Sequence, residues 1–273
     1  MTPLPTLYAF LTALVLALAT APRLLRGHPG RLDRANYAGR QVPAVLGLAL
    51  VGSVGTASVI AAFANLGGLY PVLLAVPLIV AIGAAGFLDD MVARGPRGLR
   101  GHLESMARGH MTTGILKVVV GVGAAVLAAA ALGGGPVRVI AAVVVMATCT
   151  NLWNALDVGP GRAVKWGVLA AILLLAASWR DGLGVLLAAT VGGSLAVLPF
   201  DLAERGMLGD AGSNPLGFVV GLGLAALLPT PWLVVTAVAA LALQIAAETV
   251  TLSRLIEAVP PLRWFDGLGR RST

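Results

Sequence analysis

The stretch PVLLAVPLIVAIGAAGFLDD, residues 71–90, decides the architecture. Residues 71–88 carry no charge at all, and the run then stops at Asp89 and Asp90. About 20 mostly apolar residues in a helix cross the hydrocarbon core of a bilayer. Comparable runs recur on both sides, near 3–21, 43–64, 71–88, 114–132, 137–153, 164–179, 183–200, 215–229 and 232–250. The 273 residues are 58% hydrophobic and 11% charged, with a mean hydropathy of +0.91. A soluble domain carries about 25% charged residues, so a soluble enzyme is excluded. Aromatics at 5% and the length of the runs exclude an outer-membrane barrel, which is built from short alternating segments. The sequence predicts an all-α polytopic membrane protein of about nine transmembrane helices, a single integral-membrane domain over residues 1–273.

Charge orients the bundle. Of 19 cations, 17 fall in segments that share one side if the N-terminus is outside, leaving Arg138 and Arg180 opposite. The positive-inside rule then places the C-terminus in the cytoplasm. Met1 to Ala21 has no basic leader, so a cleaved signal peptide is not expected. All acidic residues except Asp181 fall on or near the cytoplasmic face, so the chemistry is expected there, at the cell membrane. A net charge of +7 in a soluble protein would suggest nucleic acid. Here the cations lie between apolar runs, and no nucleic-acid partner is expected. The lone Cys149 and three unclustered histidines (His28, His102, His110) exclude disulfide frameworks and make a transition-metal site improbable.

Four segments break the rules of a stable bundle. Asp89 and Asp90 close the third helix, where the macrodipole favours cations and where adjacent carboxylates repel each other at the edge of a low-dielectric slab. A divalent cation is one compensation, neighbouring arginines another. Lys117 makes the mirror-image violation behind a Thr112-Thr113-Gly114 cap, explained by a bound phosphate or by snorkelling. Between them, Leu99, Leu103 and Met106, with Arg100, Glu104 and Arg108, read as a short amphipathic surface helix. Asn151, Asn154 and Asp157 share one face at the end of the fifth helix, followed by Arg162 and Lys165. Gly209 and Gly212 frame Asp210, with Asn214 expected as the N-cap and Pro215 as the first residue of the eighth helix. One carboxylate beside a helix N-terminus can cradle magnesium together with a diphosphate.

In this order, the segments resemble the polyprenyl-phosphate N-acetylhexosamine-1-phosphate transferases. Asn36 to Pro43 looks like the family's first loop, Gly86 to Asp90 like its Asp-Asp motif, and Thr112 to Lys117 like its Thr-Gly…Lys. Asn151 to Asp157 looks like its Asn-x-x-Asn-x-x-Asp, and Gly209 to Ser213 like its Gly-Asp-x-Gly-Ser. The resemblance implies transfer of a sugar-1-phosphate from a UDP-sugar to a polyprenyl phosphate, releasing UMP, at the cytoplasmic face. It implies Asp210 as the ligand of magnesium (manganese being the alternative), Asp89 as base or nucleophile and Asp90 in support. Lys117, Asn151, Asn154, Asp157 and Arg162 would bind substrate. Membrane lipids are further partners, and small-residue helix faces allow a homodimer. The chain departs from the family at Pro160, at Arg162 and in having no histidine after His110, as a short divergent branch would. The competing classes are a transporter or flippase, which would carry acids at the bilayer midplane, and a scaffold that kept the fold without catalysis.

Overall fold

The computed structural model describes residues 4–36, 39–64, 69–92, 112–179, 181–249 and 252–270. The expected surface helix with Leu99, Leu103 and Met106 lies outside the described residues. Among them, one long helix stands on each apolar run: α1 (Leu4–Gly27), α2 (Leu46–Phe63), α3 (Leu69–Met91), α4 (Thr113–Leu132), α5 (Pro136–Leu156), α6 (Arg162–Ser178), α7 (Gly182–Leu202), α8 (Asp210–Leu227) and α9 (Thr230–Thr249). Two short helices follow, α10 (Leu252–Ala258) and α11 (Pro260–Gly267). The all-α class holds, and 7 of the helices, all long ones except α6 and α8, are long and apolar enough to cross a membrane. Helix α6 has 17 residues and opens on Arg162 and Lys165. Helix α8 opens on a polar turn containing Asp210, Ser213 and Asn214.

Helix α8 is the hub, touched by α2, α3, α4, α5, α6 and α7. Every residue from Ala211 to Gly223 is buried, Ser213 and Asn214 included. Small residues let its neighbours approach closely, as in membrane interfaces generally. A Cβ on Gly47 would fall on the backbone of Gly212 and Leu208, and one on Gly86 on the backbone of Asp210. Helix α1 packs on α2 and α7 through Ala9, Ala13, Ala17 and Ala21, all fully buried and spaced to form one ridge. Helix α9 turns much of its apolar surface outward, with Trp232, Val238 and Ile245 each more than 60% exposed.

Two features differ from the sequence expectations. Helix α8 begins at Asp210, so Asn214 and Pro215 lie inside it and neither starts it. Gly209, at φ +65°, makes the turn. The first free amide of the helix, that of Ala211, finds its acceptor in a carboxylate of α3, and the next two donate to Gly209 O, so no side-chain cap from Asn214 is needed. The second feature is a small hairpin. Strand β1 (Asp33–Ala35) pairs antiparallel with β2 (Gln41–Pro43), Arg34 opposite Val42. Its end is stitched to the α7–α8 turn: Met207 N–H donates to Pro43 O at 2.9 Å, Leu46 N–H to Met207 O at 3.1 Å and Gly47 N–H to Leu208 O at 3.1 Å.

The contact at Gly47 generates a test. Gly47→Val drives a side chain into backbone on two sides, and overpacking of this kind costs about 1–3 kcal/mol or more. The variant is expected to lose monodisperse protein in detergent size-exclusion chromatography. Gly52→Val, at a position with nothing within 4 Å, is expected to behave as wild type.

Candidate active site at converging helix ends

Three helix ends meet at one end of the bundle: the C-terminus of α3 and the N-termini of α4 and α8. The Thr112 side chain caps α4 by accepting from Ile115 N–H at 3.3 Å. The next hydroxyl, Thr113 Oγ1, donates to Asp89 Oδ1 at 2.5 Å. Lys117 Nζ lies 3.1 Å from Asp89 Oδ2 and also pairs with Asp210 Oδ2. The two violations read from the sequence therefore compensate each other. An acid at a helix C-terminus and a lysine near a helix N-terminus are each disfavoured alone, and here each is the other's counter-charge. Asp90 is buried, and its Oδ2 accepts from Ala211 N–H at 3.2 Å. That places a carboxylate at the start of α8, where the free amides and the dipole favour one.

A second group of acids adjoins this cluster. Asp157 follows the last turn of α5 and is 8% exposed, while Asp201, in the last turn of α7, is 4% exposed. Each has an Oδ2 with no hydrogen-bond partner in the fold. Both line a shallow cleft, walled also by Asn36, Val42 and the Val158–Pro160 turn. Buried polar atoms are normally paired, so two orphan acceptors on residues that line one cleft are a local departure from that rule. The hairpin closes one side: Asn36 Nδ2 donates to Glu204 Oε2 at 2.6 Å, and Arg40 pairs with the same oxygen at 2.5 Å. Burial, reinforced by the neighbouring Asp201, pushes the Asp157 carboxyl well above its ordinary range, against a backbone hydrogen bond from Gly209. That bond ties the cleft to the turn that presents Asp210.

The cations of α6 point elsewhere. Arg162 is 4% exposed and grips Asp266 with two nitrogens, Nε to Oδ1 and Nη2 to Oδ2, both at 2.9 Å. Its remaining nitrogen donates to Ser253 Oγ at 2.7 Å. Lys165 Nζ donates to the carbonyls of Phe265, Asp266 and Leu268.

Of the residues singled out from the sequence, the fold gathers Asp89, Asp90, Lys117 and Asp210 into one cluster and adds Asp157 through Gly209. Asn154 is half-buried and Asn151 exposed on α5, and among the described residues neither amide bonds the carboxylates. Arg162 is committed to Asp266. The sequence marks Thr113 only as part of a helix cap, not as a partner of Asp89, and it does not single out Asp201, Glu204 or Asp266 as site residues. Asp201 carried a usable signal: like Asp89, it is an acid in the last turn of an apolar run, against the helix dipole.

The donor set bears on a metal. Among the described residues no three His, Cys, Asp or Glu form a group that could hold one. Asp89 and Asp210 nonetheless converge on a single positive centre, the Lys117 ammonium, with hard oxygen donors. Magnesium takes one or two such carboxylates and completes its shell with water and substrate phosphates, and these residues fit that pattern.

A family model described as Glycosyl transferase family 4 matches residues 71–228, from α3 through α8. The match contains every carboxylate of both groups, and Asp266 lies outside it. No curated protein matches the chain.

The orphan carboxyl of Asp157 gives a pH-dependent expectation. Because folding favours its neutral form, ionisation costs nothing at acid pH and progressively more as pH climbs above the ordinary carboxyl range of about 4. Asp157→Asn removes that cost. Its Tm is expected to exceed wild type by several degrees at pH 8 and by little at pH 4.5, as measured by thermal denaturation in detergent. An equal gain at both values would contradict the charge argument.

Proposed function

Because the chain belongs to glycosyl transferase family 4, whose members are phosphoglycosyl transferases, we propose that it moves an N-acetylhexosamine-1-phosphate from a UDP-sugar to polyprenyl phosphate. UMP is the leaving group. The observation that carries this reading is the convergence of Asp89, Asp210 and Lys117 from three helix ends, beside a cleft with unpaired carboxylate oxygens. In the proposed reaction an oxygen of the lipid phosphate attacks the sugar-bearing phosphorus of the donor. The new P–O bond forms as the bond to the bridging oxygen breaks, and UMP leaves with that oxygen.

Phosphoryl transfer depends mainly on positioning and charge neutralisation, and the residues divide accordingly. Asp89, the more accessible of the adjacent pair, receives the proton of the lipid phosphate. Asp90, bonded to the first turn of α8, holds Asp210 in place. Lys117 neutralises phosphate, and Asp157 with Asn154 faces the nucleotide. Asp210, with Asp89, would hold magnesium, whose chemistry when bound is neutralisation of the donor diphosphate. Arg162 acts through Asp266 and does not touch substrate. A midplane ion pathway, the mark of a transporter, finds no support in acids gathered at helix ends.

We further propose that all nine long helices span the cell membrane, with the N-terminus outside and the site at the cytoplasmic face. A cysteine introduced near the N-terminus is then labelled in intact cells by an impermeant maleimide, whereas one introduced near residue 270 is labelled only after lysis. The reverse pattern would invert the topology.

The decisive assay is UMP release by purified protein given undecaprenyl phosphate, magnesium and a panel of UDP-sugars led by UDP-N-acetylglucosamine. Asp210→Asn is expected to lower the rate about a hundredfold or more, the scale on which loss of a charge-stabilising group acts. Silence across the panel from folded wild-type protein would overturn the reading. Unchanged turnover and metal dependence in Asp210→Asn would overturn the metal assignment.

A further inference from the structure

Helices α10 and α11 lie outside the segment matched to the family, which ends at residue 228. They still reach the wall of the cleft. Most of α11 is exposed, including Trp264 at 69%, whereas Asp266 is 4% exposed. Its carboxylate receives Arg162 through two hydrogen bonds at 2.9 Å and Arg270 at 2.8 Å. Arg162 needs such a partner, because it occupies the first position of α6, where the dipole disfavours a cation. Arg270 then extends the contact: its Nε donates to Pro160 O at 3.2 Å. Gly159 sits so close that a Cβ there would come within 2.8 Å of the Arg270 guanidinium and 3.0 Å of that of Arg162. From the other side Lys165 collects three carbonyls at the end of α11, the terminus where a cation is favoured. The Phe265 ring packs on Trp166 with centroids 4.5 Å apart.

We propose that Asp266 is a positioning residue: it latches α10–α11 onto the start of α6 and, through Arg162 and Arg270, fixes the Val158–Gly161 turn that walls the cleft beside Asp157. The kinetic consequence rests on the transferase reading, and the ordering of the turn does not. A bidentate arginine–carboxylate pair is directional as well as strong, which is what a latch on a glycine-rich turn requires. Removing one member leaves the other charge buried without its counter-charge, so the turn is expected to open locally before the bundle unfolds.

The test uses full-length protein in detergent. In Asp266→Asn, amide hydrogen exchange across 158–165 is expected to rise about tenfold while α4 stays unchanged, the mark of local opening. Arg270→Gln leaves the Arg162–Asp266 pair intact and is expected to show the same pattern at about threefold; it carries the test if Asp266→Asn does not yield folded protein. In the UMP assay, donor KM is expected to rise about tenfold, with kcat within about twofold and the lipid KM unchanged, as for a lost binding contribution. Unchanged exchange across 158–165 in both variants would overturn the latch, as would a fall in kcat with donor KM unchanged. If wild-type protein releases no UMP, the transferase reading fails while the exchange data still decide the latch.

Discussion

Lys117, near the start of α4, holds together two acidic helix ends, those of α3 and α8, that would otherwise repel each other. Asp89 sits at the negative end of the α3 dipole, and Asp210 shares the same small volume with it. Two carboxylates in one small volume need a counter-charge, and the ammonium from α4 supplies it to both. Asp90 contributes in the opposite sense, since its carboxylate accepts from Ala211 N–H at the start of α8, where the dipole favours an acid. One adjacent pair of acids thus does two jobs: one carboxylate fastens α3 to the hub helix, and the other stays half-open beside the lysine.

The same electrostatic logic repeats at α6. A cation at a helix start is unfavourable, and Arg162 is matched by Asp266 from the far end of the chain. In both places a helix-terminal charge of the wrong sign is tolerated because another element brings its partner. Such arrangements are costly to leave half-made, so each ties together segments that the sequence separates widely. The hairpin adds a third tie, Arg40 and Asn36 to Glu204, at the opposite rim of the cleft.

Packing makes these meetings geometrically possible. Helix α8 can be surrounded on all sides because its glycines and those of α2 and α3 remove the side chains that would keep backbones apart. Asp210 therefore emerges from the most enclosed helix of the bundle, and its turn is fastened by Asp90, by the Asp157 bond to Gly209 and by the strand-like pairing of Met207 with the entry to α2. Two carboxylate oxygens remain without partners in this framework, on Asp157 and Asp201, which line the cleft.

The membrane class, the helical segments and the acids that stand against the helix dipoles are legible along the chain, because all of these are local properties of length, hydropathy and position within a run. Asp89, Asp90, Lys117, Asp157 and Asp210 were legible as anomalies for that reason, and their order carried the family resemblance. The partners were not legible. Lys117 and Asp210 are joined across 93 positions, and Arg162 and Asp266 across 104, distances over which periodicity says nothing. Asn214 was misplaced as a cap because the true acceptor for the first turn of α8 comes from α3. It takes the folded arrangement to pair Arg162 with the C-terminal helices, to bring Asp201 beside Asp157, and to let two charges, each unfavourable on its own helix, neutralise one another in space.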